Sequence, residues 1–335
     1  MIRADVLIAD ADVVATCAGP APKAGVAQGD IAALPRASVA GLDGRVVAVG
    51  PADALARSVA LTADAVVVDG RGHTVVPGFV DSHTHLVYGG DRRDELARRL
   101  RGATYAEIAA GGGGIVRTVT DTRQASEDEL VAAALPRLAD ALAQGTTTCE
   151  VKSGYGLDTA TELKMLRAIR RLRDLQPVAI AATFMGAHEV PVEYRGQRDA
   201  YVRLVIDEML PAVAASGLAE WNDVFCEQGV FTPEESRAIL EAGRRLGLRP
   251  RIHADELALS GGARTAAAVG AASADHLIFV DDAGAEAMAA AGVTQFYEIG
   301  SGKVLSGLAG RIDKSLKAQP VGTPADIEAA MAGLA

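Results

Sequence analysis

The sequence predicts an α/β protein: a TIM-type (β/α) barrel preceded by a small N-terminal β domain. Three observations carry this. From Thr74 onward, short apolar β-branched runs alternate with longer amphipathic stretches, the pattern of βα units and a parallel sheet. Five of the six histidines fall at or just past the C-terminal end of a predicted strand, the face where such barrels gather their active sites. Before Thr74 the chain holds only short strand-like runs between turn residues.

The composition admits such a core and narrows the function. Of 335 residues, 49% are apolar but only 4% aromatic, so Ala, Val and Leu must fill the interior. The net charge of -10, with no Lys/Arg-rich block, argues against nucleic acid or an anionic membrane surface as partner. No apolar run approaches the roughly 18 residues of a membrane span, and Asp5 and Asp10 interrupt the N-terminus, so neither a span nor a secretory signal is expected. Cys17, Cys149 and Cys226 form no CxxC pair; reduced thiols in a cytoplasmic protein are the simplest reading.

Residues 1–70 are expected to form a small β-sandwich-like domain. Its strand candidates are Asp5–Ala9, Gly44–Gly50 and Ala65–Gly70, with an irregular loop over Ala18–Pro35. The barrel is expected over residues 71–293. Its first strand is Val75–Val80, followed by helices near Arg92–Arg101 and Thr104–Ala110. Ser126, with Glu129 three residues on, opens a long helix with a capping box. Strands at Thr146–Val151, Val178–Phe184, Asp223–Cys226, Arg249–His253 and Ala274–Leu277 alternate with helices over Thr161–Leu175, Asp199–Ser216, Pro233–Leu246, Gly261–Val269 and Asp281–Ala291. Gly292–Tyr297 is a weaker seventh strand. Eight units close a barrel, and the eighth is missing, so the barrel reads as incomplete. Residues 294–335 are a tail of different character, partly helical.

Side chains at i and i+2 of an extended chain point the same way, so His83 and His85 leave the first strand side by side, as a divalent metal wants. His253 is the natural third ligand, and an open position on such an ion holds water of lowered pKa. Glu256 either shuttles a proton from that water to a leaving nitrogen or is a solvated loop carboxylate. His276 either assists that water and the oxyanion or is a hydrogen-bonded core histidine. Glu227 either orients a ligand or binds substrate. Arg92 suits bidentate capture of a substrate carboxylate, with Arg93 as its alternate. Tyr155, in a glycine-flanked turn, and His188, as a donor to a carbonyl, complete the candidate set. His73 precedes the first strand and reads as structural. Gly300-Ser301-Gly302-Lys303 fails as a phosphate loop because Val304 replaces the required hydroxyl residue, and no G-x-S-x-G elbow exists.

The run from Gly78 to Arg92 (GFVDSHTHLVYGGDR) resembles imidazolonepropionase, a member of the amidohydrolase superfamily. So do Glu150-Val151-Lys152-Ser153-Gly154-Tyr155-Gly156-Leu157, Gly186-Ala187-His188-Glu189-Val190-Pro191, His253-Ala254-Asp255-Glu256 and Ser273-Ala274-Asp275-His276-Leu277. The motifs follow the family's order over about residues 1–293. The resemblance implies a barrel of the metal-dependent hydrolase kind with a β-sandwich built from both chain ends. It implies one zinc or iron ion on His83, His85 and His253, and ring opening of 4-imidazolone-5-propanoate to N-formimidoyl-L-glutamate in histidine degradation. It assigns substrate contacts to Arg92, Tyr155, His188 and Glu256, and proton handling to Glu256 and His276. The expected partner is therefore a small carboxylate-bearing substrate, with a homodimer left open.

The family's metal-site Asp after the eighth strand has no counterpart here. An inactive incomplete barrel and a hydrolase of another cyclic amide or amidine are the alternatives. The tail, from Gln295 on, resembles the C-terminus of malonyl-CoA:acyl-carrier-protein transacylase without that enzyme's nucleophile motif. It reads as a fusion or as an assembly artefact.

Overall fold

The computed structural model describes residues 1–19, 30–102 and 113–292. The expected helix at 104–110, the weak strand past Gly292 and the whole tail lie outside the described residues. The chain divides into two compact units, Met1–Pro77 and Gly78–Val293 in their described parts, so the boundary falls seven residues after the expected one at 70/71.

The first unit is a twisted sheet. Strands β1 (Ile2–Ala15), β2 (Ala33–Leu42), β3 (Arg45–Pro51) and β4 (Val59–Asp69) lie in the order β3-β2-β1-β4, with helix α1 (Ala52–Ser58) between β3 and β4. β1 is longer than the expected Asp5–Ala9, and β2 was not expected at all. β1 bulges between Ile8 and Ala11. Asp10 sits there at φ 57° and its N–H bonds Ser38 Oγ at 3.0 Å, the local kink a bulge makes. Two apolar clusters form, one on Ala4, Ala40 and Leu55 and one on Ala11, Val14 and Ala37.

The apolar run expected as one barrel strand is two strands in two sheets. β5 (Thr74–Val75) pairs with β1, whereas β6 (Phe79–Asp81) pairs with β7 (Thr146–Lys152). Pro77 has no N–H to donate to a ladder, and Gly78 lies where a Cβ would meet Thr147 Oγ1 at 2.1 Å, so the chain leaves one sheet there and enters the other.

The second unit follows βα alternation. After β6 come α2 (Arg93–Leu100), α3 (Ile115–Gln124) and α4 (Glu127–Ala143), the last opened by the expected Ser126–Glu129 capping box. Then follow β7, α5 (Thr159–Leu175), β8 (Ala179–Ala187), α6 (Arg198–Leu204), α7 (Leu210–Ser216), β9 (Trp221–Cys226), α8 (Pro233–Arg245), β10 (Arg249–Pro250), β11 (Ile252–Ala254), α9 (Gly262–Val269), β12 (Ala274–His276) and α10 (Asp282–Ala290). The strands are parallel in the order β12-β11-β9-β8-β7-β6, with β10 extending β9's pairing. This is the expected incomplete TIM-type sheet among the described residues.

α5 buries Met165, Leu166, Ile169 and Leu172, and α8 buries Ile239 and Leu240, the i, i+3, i+4 stripe of a helix on a sheet. Each such side chain contributes about 1.5–3 kcal/mol on full burial. The helix expected over Asp199–Ser216 is interrupted by a π turn at Val205–Met209. Pro211 lacks the N–H that an α-helix would give to residue 207, and the wider turn absorbs the break. No helix of the described residues is long and apolar enough to cross a membrane.

Candidate active site

Beyond β6 the chain stays pinned to β7. Thr84 Oγ1 donates to the Glu150 carbonyl at 2.6 Å, and Lys152 N–H donates to the Thr84 carbonyl at 3.0 Å. Thr84 therefore faces β7, and its neighbours His83 and His85 sit with ring centroids 5.3 Å apart. His253, in the middle of β11, joins them: one ring nitrogen from each of the three lies within 4.8 Å of the others.

Carboxylates fix the tautomers of two rings. His83 Nδ1 donates to Asp275 Oδ2 at 2.8 Å and His253 Nδ1 donates to Asp223 Oδ1 at 3.1 Å, since an ionised carboxylate can only accept. In a neutral ring held this way Nε2 carries the lone pair, and metal-binding histidines are oriented by carboxylates in the same manner. His85 Nε2 and His253 Nε2 face each other at 3.1 Å. With Zn–N near 2.0–2.1 Å, two nitrogens of a tetrahedral ion stand about 3.3 Å apart. Buried His85 Nδ1 has no hydrogen-bond partner among the described residues. The three imidazoles fit one divalent ion.

Burial, together with the neighbouring imidazoles and Lys152, pushes His85 well below its ordinary pKa. Burial likewise lowers His253 to about 4, against the pull of Asp223. Both rings are held neutral, as ligands must be. Burial works to raise Asp275, but the His83 hydrogen bond, Lys152 and Arg251 outweigh it and hold the carboxyl well below the usual range.

His276, at the end of β12, lies with Nε2 3.4 Å from Glu256 Oε2. The backbone is in the left-handed region at Asp255 (φ 50°), His276 (φ 74°) and Leu277 (φ 57°), which costs non-glycine residues strain of order 1–3 kcal/mol each and clusters at functional sites. Surrounding bonds hold it. Asp255 accepts from Ser260, Gly261, Gly262 and Ala263 N–H groups at 2.8–3.2 Å. Glu227 Oε2 accepts the Glu256 and Leu257 N–H groups at 2.9 and 2.7 Å, so it positions the Glu256 loop.

The turn after β7 brings up Tyr155, and the end of β8 brings up His188 beside it. Gly154 adopts φ 108°, where a Cβ would meet the Met185 carbonyl at 2.9 Å. Fully buried Glu162 pins the turn by accepting from Gly154, Gly156 and Leu157 N–H groups. The Tyr155 ring lies 5.8 Å from His85 and 5.2 Å from His188, and His188 stacks on His85 at 4.8 Å. His188 Nδ1 donates to the Gly154 carbonyl at 3.0 Å, and burial lowers its pKa to about 3. The neutral ring therefore presents an acceptor at Nε2, and the expected donation to a carbonyl does not fit this tautomer.

Arg93 is paired with Asp91 at 2.6 Å, whereas exposed Arg92 has no ion pair among the described residues. His73 bonds the Arg71 carbonyl in the first unit. Sequence reasoning missed Asp223, Asp275, Lys152 and Glu162. A charged residue inside an apolar strand, as in Trp221-Asn222-Asp223-Val224-Phe225-Cys226, is the signal that could have found the first three.

A parallel βα sheet carries an imidazole triad at its rim, and residues 74–299 match the amidohydrolase family model. The chain belongs to the amidohydrolase family, within it to the imidazolonepropionases. It is 54% identical over 289 residues to an imidazolonepropionase of Symbiobacterium thermophilum, covering 86% of this chain and 68% of the relative. The imidazolonepropionase of Myxococcus xanthus is 56% identical over 260 residues, covering 78% and 62%. The chain thus spans about two thirds of the length of these relatives.

Among solved structures, a triazine hydrolase from Arthrobacter aurescens superposes with TM-score 0.57 at 19% identity, covering 86% of this chain and 64% of that one. A variant of atrazine chlorohydrolase from the same organism, solved with zinc and atraton, gives TM-score 0.56 at 19% identity, with the same coverage. At that identity the likeness is one of fold.

Proposed function

We propose that this chain carries out the hydrolytic ring opening of 4-imidazolone-5-propanoate to N-formimidoyl-L-glutamate in histidine degradation, with one ion, zinc or iron, held by His83, His85 and His253. The observation that supports it most is the convergence of three imidazoles, two of them with Nε2 atoms 3.1 Å apart, beside the Glu256–His276 pair.

When bound, the ion supplies Lewis acidity and lowers the pKa of water. Glu256 takes the proton released as water adds to the ring carbonyl and passes it to the departing ring nitrogen; one water is consumed and one C–N bond breaks. His276, 3.4 Å away, is the other half of this acid–base couple and stabilises the oxyanion formed. Arg92 clamps the propanoate carboxylate through two parallel hydrogen bonds. Tyr155 lines the ligand, and His188 Nε2 accepts a ring N–H. The three free cysteines fit a reducing compartment, the cytoplasm.

Metal analysis of the purified full chain with an assay of imidazolonepropanoate loss tests this reading. One equivalent of metal with turnover is expected, and Arg92→Ala should raise KM far more than it lowers kcat. A pure kcat loss refutes the clamp. A second reading, a metal-binding half-barrel without turnover, is favoured by β6 and β12 standing as the edges of the described sheet. Metal without turnover selects it, and turnover of a different cyclic amide or amidine alone moves the substrate assignment.

A further inference from the structure

Beside the triad a second set of ligand-type atoms converges. An oxygen from each of Asp223 and Asp275 and a ring nitrogen of His253 lie within 4.8 Å of one another. Glu150, 4% exposed, adds a third carboxylate. Oxygen-rich sets of this kind suit hard divalent cations, and paired catalytic ions stand only about 3.5–4 Å apart.

Here a cation is already seated. Lys152 Nζ lies 2.7 Å from Asp223 Oδ2, 2.9 Å from Glu150 Oε1 and 3.6 Å from Asp275 Oδ2, and the side chain is fully buried. An ammonium taken out of water is costly unless anions and hydrogen bonds surround it. Burial works to discharge Lys152, and Asp223 and Glu150 outweigh it and raise its pKa. Arg251 Nη2 stands 3.3 Å from Asp275 and donates to the Ser82 carbonyl at 2.7 Å.

We propose that Lys152 is a built-in second cation: its ammonium fills the Glu150–Asp223–Asp275 pocket that a second divalent ion would otherwise take, and so holds the site to one ion. The same contacts keep Asp223 and Asp275 turned toward the Nδ1–H groups of His253 and His83. Lys152 is thus a positioning residue, acting through the two carboxylates. The inference rests on the triad holding one ion, as proposed above.

The test counts zinc, and separately cobalt(II), per full chain by elemental analysis after equilibrium dialysis, with folding followed by circular dichroism. Wild type should hold one ion and Lys152→Ala two, the second cobalt adding its own visible absorption. A purely structural lysine would leave the count unchanged. A Lys152→Ala chain that holds one ion, or that stays unfolded in millimolar zinc, overturns the proposal, as does a wild type holding two. A wild type that binds none overturns the triad itself, so the two failures are distinguishable.

Discussion

A core histidine held by a neutral partner and one held by a carboxylate offer different chemistry. His83 and His253 each have a carboxylate on Nδ1, which fixes the orientation of the ring and aims Nε2 at the shared centre. The pairing of His83 with His85 was legible because a two-residue period follows from extended backbone alone. The carboxylates were not, because Asp275 serves a histidine 192 positions away. The thiols give a residue-scale prediction. Burial, with nearby carboxylates, raises Cys149 and Cys226 to about 11. A thiol with a raised pKa is protonated in the folded state; the stability it contributes is present below the ordinary value near 9 and lost as pH rises through 11. At pH 8 iodoacetamide should label exposed Cys17 alone, and all three thiols in urea, with mass spectrometry giving the count. Labelling of Cys149 or Cys226 at that pH in the folded chain contradicts this.

At the level of elements, patterning located the barrel strands and the capped helices but missed where one strand changes sheet. Val75–Val80 is apolar throughout, and periodicity cannot show that Pro77-Gly78 splits it. The helix α9 shows how an element supports the site. Its N-terminal N–H groups are satisfied by Asp255, fully buried and one residue before Glu256. Removing an acceptor from buried donors costs about 1–3 kcal/mol per group, whereas loss of an exposed Ser or Thr cap costs about 1 kcal/mol. Asp255→Ala should therefore lower the urea-unfolding free energy several times more than Ser126→Ala in the capping box of α4. Equal losses would mean that Asp255 is not what holds that loop.

For the molecule as a whole, the parallel sheet curls until His83, beyond β6, reaches Asp275 on β12, although the two strands do not pair among the described residues. Metal bound across that span should tie the sheet together. Metal at 100 times its Kd adds about 2.7 kcal/mol to stability, so a chelator should lower the melting temperature of the wild type and leave His85→Ala unchanged. A wild type indifferent to chelation would remove the ion from the structural account. The sequence by itself determined the βα alternation, the side-by-side histidines and the capped helices, because these follow from backbone periods and local hydrogen bonding. Only the tertiary structure decided that Lys152 and the two aspartates share one buried cluster, that Glu227 holds the Glu256 loop, and which face His188 presents. Those contacts arise where strands far apart in sequence are brought to one rim by the curl of the sheet, and no local period encodes them.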